Sequence, residues 1–253
     1  MALAILSLIF VFDRRVVEVS QLEARTGKSV LATIPYVGRD KISMENLWAN
    51  NGIEGNLVDF KGSLRSLRVD IGEVLDSIDD VNDAGRVLLV TSLNQGDGKT
   101  LLSTGLSYAF AAAGKSLLLI TSSEPEVLTP ALTEDVGFSA MEFDTFLVKR
   151  EIKIEDRITV LRSNSSQTSL MELGNRKSLE QAFSVLKEQF DLIIIDSVDM
   201  DHWSQLQEWL AFSDGIVALF KSGNKIDEPD SLSALSRINQ HPRFLGWVFN
   251  SDK

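Results

Sequence analysis

Gly96, Gly98, Lys99 and Thr100 have the types and spacing of a phosphate-binding loop. In such a loop backbone N–H groups and a helix N-terminus surround an anion, a lysine reaches the β/γ-phosphates, and a Ser/Thr hydroxyl holds Mg²⁺. The expected nucleotide-binding set is Gln95, Gly96, Asp97, Gly98, Lys99, Thr100 and Leu101. The full pattern wants a glycine five positions before Gly98, where Leu93 stands, so the match is partial. The plainer alternative is a turn that needs glycine for positive φ and happens to precede Lys-Thr. A second chemical signal is Asp196, which closes the apolar run DLIIID. An acid there holds Mg²⁺ directly or through water, complementing the loop hydroxyl; otherwise it caps the next segment. Lys99 and Asp196 are thus the expected catalytic pair, and Thr100 and Asp196 the expected magnesium ligands.

These residues need elements to place them. Val87 to Val90 form a branched apolar run that predicts a buried strand, and the Ala- and Leu-rich segment after Thr100 predicts a helix. Strand, phosphate loop and helix therefore follow in order, the context that confirms the motif. Further strands are predicted at 116–120, 158–161, 191–196, 216–220 and 245–249, and helices at 178–189, 203–212 and 231–239. A short helix is expected over 140–149. Strands regularly separated by helices imply an α/β doubly wound, mainly parallel sheet. Ligands of such sheets sit beyond the carboxyl ends of the strands, where Thr100 and Asp196 both fall.

Before the loop, Leu64, Leu67, Ile71, Val74 and Leu75 recur at helical spacing, with Arg65 and Arg68 beside the stripe. Residues 39–59 are polar, Asn/Gly-rich and without a sustained period, and read as a linker. Ser20 with Glu23 has capping-box spacing for a short helix that Thr26-Gly27-Lys28 ends, followed by a strand from Val30 to Ile34. Residues Met1 to Phe12 are apolar apart from one serine, and Arg14 and Arg15 follow. A spanning helix needs about 20 apolar residues. The run is therefore either a buried element of the domain or the final half of a transmembrane helix with a basic cytoplasmic flank.

Composition excludes some functions. A formal charge of −11 argues against general nucleic-acid binding, which needs a basic face. Without cysteine there is no disulfide or thiolate metal site, which suits a reducing cytoplasm. His202 and His241 are too far apart for a metal-ligand pair by spacing, and read as ordinary surface or loop residues.

With these pieces in order, the chain resembles the cytoplasmic ATPase domain of the bacterial tyrosine kinases (BY-kinases) of exopolysaccharide synthesis, fused to the end of a polysaccharide co-polymerase membrane segment. TSLNQGDGKT is similar to that family's Walker A, FDLIIIDS to its Walker B, and SLRSLR to its EAFRSLR helix. LEARTGKSVLATIP is similar to its juxtamembrane segment, and the close from Phe212 to Asn250 to its final strands. Leu93 at the first glycine position is normal in the family. The resemblance implies ATP or ADP with Mg²⁺, a place on the cytoplasmic face of the bacterial inner membrane, and contact with polysaccharide polymerase and export components. It favours the membrane reading of 1–15, makes 16–60 a juxtamembrane segment and linker, and 61–253 the P-loop NTPase-like domain. It also implies self-association through the Arg65/Arg68 helix.

The departures bear on activity. Where the family has a Walker A′ of the form DxDxR, this chain has Thr121, Ser123 and Pro125. A neutral hydroxyl cannot serve as the general base that a carboxylate supplies. The ExxRxxR motif keeps both arginines but has Gly62 in place of its Glu, so self-association is expected to be weak. Tyr36 and Tyr108 are the only tyrosines. The resemblance therefore implies a nucleotide-binding domain with weak or lost kinase activity. Two alternatives are an active autokinase in which Asp199, Asp201 or Glu124 replaces the lost base, and a soluble partitioning-type ATPase.

Overall fold

The computed structural model describes residues 15–37, 44–49, 53–78, 84–122, 140–142, 157–162, 169–226 and 229–251. In chain order the elements are α1 (Val19–Thr26), β1 (Val30–Pro35), α2 (Met44–Ala49), α3 (Asn56–Asp76), β2 (Arg86–Ser92), α4 (Lys99–Ala112), β3 (Leu117–Thr121), β4 (Ala140–Glu142) and β5 (Ile158–Arg162). There follow α5 (Leu170–Leu173), α6 (Arg176–Gln189), β6 (Leu192–Asp196), a 3₁₀ turn (Met200–His202), α7 (Trp203–Leu210), β7 (Gly215–Lys221), α8 (Pro229–Asn239) and β8 (Phe244–Ser251).

The eight strands form one sheet in the order β1-β8-β7-β2-β6-β3-β5-β4. Every neighbouring pair is parallel. The expected α/β doubly wound fold is therefore the observed one. Successive side chains of a strand point to opposite faces, and β2 shows the consequence. Val87 and Leu89 enter a core that also holds Leu22 of α1, Phe183 of α6, Leu206 of α7 and Ile238 of α8. Leu88 and Val90 enter a second core with Met44 of α2, Leu64 of α3 and Leu102 of α4. Both faces are covered, which is why Val87–Val90 of β2 and Leu192–Ile195 of β6 are continuously apolar.

Helix α3 buries Phe60, Leu64, Leu67, Ile71 and Leu75. It approaches α4 closely at Gly105, where an added Cβ would lie 2.8 Å from a Leu64 methyl. This contact helps to fix the axis of the helix whose first turn carries Lys99 and Thr100.

Three local expectations need correction. Residues 39–59 are not all linker: α2 occupies Met44–Ala49 and α3 begins at Asn56. Six residues are too few to display a helical period, yet Met44 and Leu47 are buried. At the start of the predicted helix over 140–149 the chain forms β4, which pairs with β5, so a non-local partner overrides local propensity; residues 143–149 lie outside the described residues. The N-cap of α1 is Glu18 rather than Ser20, and Gln21 accepts the Glu18 N–H.

The N-terminal segment contributes to the same sheet. Strand β1 pairs with β8, and the Arg15 backbone bridges Lys225. A division between residues 60 and 61 falls within α3. The reading of Met1–Arg15 as the end of a transmembrane helix lies, except for Arg15, outside the described residues. Among the described residues no helix is long and apolar enough to cross a membrane.

Candidate functional site

The site is built where β2, β3 and β6 end together. Register sets it: Val90 of β2 and Thr121 of β3 are both paired with Asp196, the last residue of β6. The pairing brings the Thr121 hydroxyl to Asp196, donating to Oδ2 at 2.7 Å. From the first turn of α4, Thr100 Oγ1 donates to the same oxygen at 2.8 Å. One carboxylate thus unites the phosphate-loop hydroxyl and the hydroxyl at the family's Walker A′ position, across 96 and 75 residues of sequence.

Between β2 and α4 the loop needs its glycines. Gly96 has φ +84° and Gly98 φ +108°, values that side-chain-bearing residues rarely adopt. A Cβ on Gly98 would also come within 3.1 Å of Asn250 Nδ2. Leu93, at the missing glycine position, is buried in the core. The polypeptide therefore uses that position for packing and leaves the turn to Gly96 and Gly98. Leu101 packs against the second core, and Gln95 is exposed.

Lys99 Nζ donates to Ser92 Oγ at 3.0 Å, and Ser92 Oγ in turn donates to the Asn94 carbonyl at 2.6 Å. Lys99 also lies 3.8 Å from Asp199 Oδ2. Asp199 is buried and its other oxygen is 2.8 Å from His202 Nδ1. Spacing alone did not reveal this cluster. His202 is a largely exposed side chain tied to a buried acid rather than an isolated surface residue. Of the acids considered as substitutes for the lost base, Asp199 stands at the site, Asp201 is exposed, and Glu124 lies outside the described residues with Ser123 and Pro125.

Asp97 turns inward. Its carboxylate accepts from the Asn94 N–H at 3.0 Å and from Asn224 Nδ2 at 2.9 Å, while its carbonyl accepts from Asn250 Nδ2 at 2.8 Å. Burial pushes its carboxyl above the usual aspartate range; the two hydrogen bonds and the charges of Lys99 and Lys221 pull the other way. The side chain is thus part of the loop's frame, and the loop's backbone amides remain the groups suited to an anion.

On α3, Arg68 Nη1 donates to the Ala109 carbonyl at 3.1 Å, and the Arg65 guanidinium lies 5.6 Å from the centre of the Trp48 ring. Both arginines of the expected docking face therefore have contacts within the chain.

Among the described residues no three His, Cys, Asp or Glu side chains cluster as a metal cage. A hydroxyl beside a single carboxylate instead fits Mg²⁺, which keeps most of its waters and is shared with substrate phosphates.

The chain has bacterial tyrosine-protein kinases among its homologues. Tyrosine-protein kinase CpsD of Streptococcus pneumoniae is 26% identical over 179 residues, covering 66% of this chain and 77% of the relative. Tyrosine-protein kinase YwqD of Bacillus subtilis (strain 168) is 23% identical over 171 residues, covering 66% and 72%. The kinase domain of the Escherichia coli tyrosine kinase ETK has a TM-score of 0.66 at 17% identity, covering 94% of this chain and 95% of that one. The chimerical protein CapA2B2 also scores 0.66 at 17% identity, covering 93% and 100%. At these identities the solved structures speak for the fold alone. No protein-family model matches the chain.

Proposed function

We propose that this BY-kinase-like P-loop domain binds ATP or ADP with Mg²⁺ and has weak or lost tyrosine phosphorylation. It serves as the cytoplasmic nucleotide-binding domain of an exopolysaccharide biosynthesis and export (chain-length) protein. The observation that carries the reading is the pair of hydroxyls on Asp196 Oδ2: the loop is built for nucleotide, but Thr121 brings a neutral group where the family's Walker A′ brings an acid. In the proposed complex the loop amides and Lys99 would hold the phosphates, and Thr100 and Asp196 would hold Mg²⁺, which would supply charge neutralisation for the phosphates. An adenine nucleotide with Mg²⁺ should raise the melting temperature by linkage, equivalent to about 2.7 kcal/mol at a hundred times Kd. Lys99→Ala should remove the rise. Equal shifts in both proteins would sink the assignment.

A second reading, an active autokinase, is favoured by one observation. Asp199 lies 3.8 Å from Lys99, which sets a buried acid beside the lysine expected to reach the phosphates. Phosphorylation of Tyr36 or Tyr108 in cells that disappears in Lys99→Ala would promote it, and tyrosine-phosphopeptide mass spectrometry measures this.

For partners, the proposal places the N-terminal segment at the inner membrane beside polysaccharide polymerase and export components, with no nucleic acid. Self-association through Arg65 and Arg68 is weak, because Gly62 offers no carboxylate and Arg68 is engaged with Ala109. A monomer by light scattering at micromolar concentration is expected; a stable ring would contradict it.

A further inference from the structure

We infer that Asn224 is a positioning residue for the phosphate loop, acting through the buried carboxylate of Asp97. The inference rests on the nucleotide-binding reading above and goes beyond it by locating what holds the loop in shape. Asp97 stands immediately before the amides of Gly98, Lys99 and Thr100, and the Asp97–Gly98 peptide plane carries the first of these N–H groups. Its carboxylate is almost wholly buried, and a buried charge must be hydrogen-bonded to remain there. Asn94 supplies one hydrogen bond from within the loop, and Asn224, 127 residues away, supplies another. Asn250 fixes the adjoining carbonyl from β8.

Asn224 is itself braced. It sits just past β7 in a turn where its N–H donates to the Lys221 carbonyl at 3.1 Å and the Ser222 N–H donates to the Asn250 carbonyl at 2.8 Å. The Gly223 N–H donates to the Val16 carbonyl at 2.9 Å, and the Val16 N–H returns to the Asn224 carbonyl at 3.0 Å. Val16 is fully buried. The amide reaching Asp97 is thus mounted on a fixed support, and a preorganised loop loses less entropy when it binds an anion. The Asn224 side-chain amide is engaged with Asp97, and its effect runs through that carboxylate.

The test is the affinity of a fluorescent ADP analogue with Mg²⁺ for the full chain, alongside the melting temperature without nucleotide. Asn224→Ala should weaken binding about tenfold, the size of one hydrogen bond to a charged group. Asn224→Asp, which sets two carboxylates face to face, should weaken it more. Adding Asp97→Asn to Asn224→Asp reverses donor and acceptor across the same contact and should restore affinity to within about threefold of the unmodified chain. Restoration separates positioning from general damage. Asn224→Ser replaces Asn224→Ala if that variant does not fold. Unmodified chain and all Asn224 variants binding alike would overturn the inference while leaving nucleotide binding intact. No binding by the unmodified chain would overturn both.

Discussion

The two ends of the sheet both carry aspartates, and they are satisfied in different ways. At the amino ends, Asp214 accepts from the Val87 N–H at 2.8 Å and from Lys187 Nζ at 2.7 Å. Beside it Arg86 donates to the carbonyls of Leu75, Ala84 and Ile78, and Asp191 accepts from the N–H and hydroxyl of Ser116. Charges there are tied to backbone or to an opposite charge. At the carboxyl ends Asp196 accepts from two hydroxyls, and Lys99 donates to a third. Hydroxyls can turn to a new partner at little cost, whereas an ion pair stitched to backbone cannot. The amino edge is therefore structural and the carboxyl edge suited to a ligand. In a cavity of about 780 Å³ at the amino edge, the lining side chains Lys187, Asp214 and Arg243 are engaged in this way.

The largest effect expected from this contrast is catalytic. If the carboxyl edge lacks only charge, Thr121→Asp combined with Ser123→Asp should raise ATP hydrolysis on the order of a hundredfold while changing nucleotide affinity far less. A phosphate-release assay with parallel titrations checks it. A gain confined to affinity would mean that the edge lacks more than an acid.

Next comes stability at the other edge. Asp214→Ala leaves the Val87 N–H and Lys187 without their acceptor, so unfolding in urea should show a loss of about 2 kcal/mol. Affinity for Mg²⁺ and nucleotide should stay unchanged, because the residue lies at the opposite end of β2. A comparable loss of affinity would break the division between the two edges.

How much of each edge could be read in the sequence follows from how contacts are spaced along the chain. Strand β2, its loop and α4 are contiguous, so their pattern was legible, and the apolar run ending in Asp196 announced both strand and acid. The pairing of Thr121 with Asp196 depends on strand order, and only the family likeness pointed to it. Asn224 and Asn250 reach Asp97 across 127 and 153 residues, from positions that carry no motif. Helix α2 and strand β4 are too short for a period to emerge, and tertiary partners decide their state. His202 looked ordinary because only the fold reveals the buried acid beneath it and Lys99 beyond.

The smallest effect expected concerns Asp97, the acid at the carboxyl edge that resembles those of the amino edge in being tied to backbone. It differs in having no salt-bridging cation among the described residues: Asn94 and Asn224 are its hydrogen-bond partners there, with Lys99 and Lys221 acting from a distance. Its folded-state pKa is raised, chiefly by burial, from the ordinary value of 3.8. A raised carboxylate contributes stability fully below the unfolded-state value, and that contribution is lost as pH rises through the folded-state value. Asp97→Asn keeps the acceptor for the Asn94 N–H, lets Asn224 turn to accept, and carries no charge. Its stability relative to the unmodified chain should therefore increase as pH rises from about 4 and level off once Asp97 is ionised. Urea unfolding of both proteins without nucleotide between pH 4 and pH 8 measures the difference. Parallel curves, or a variant that loses ground as pH rises, would show that Asp97 is satisfied as fully as the paired acids at the opposite edge.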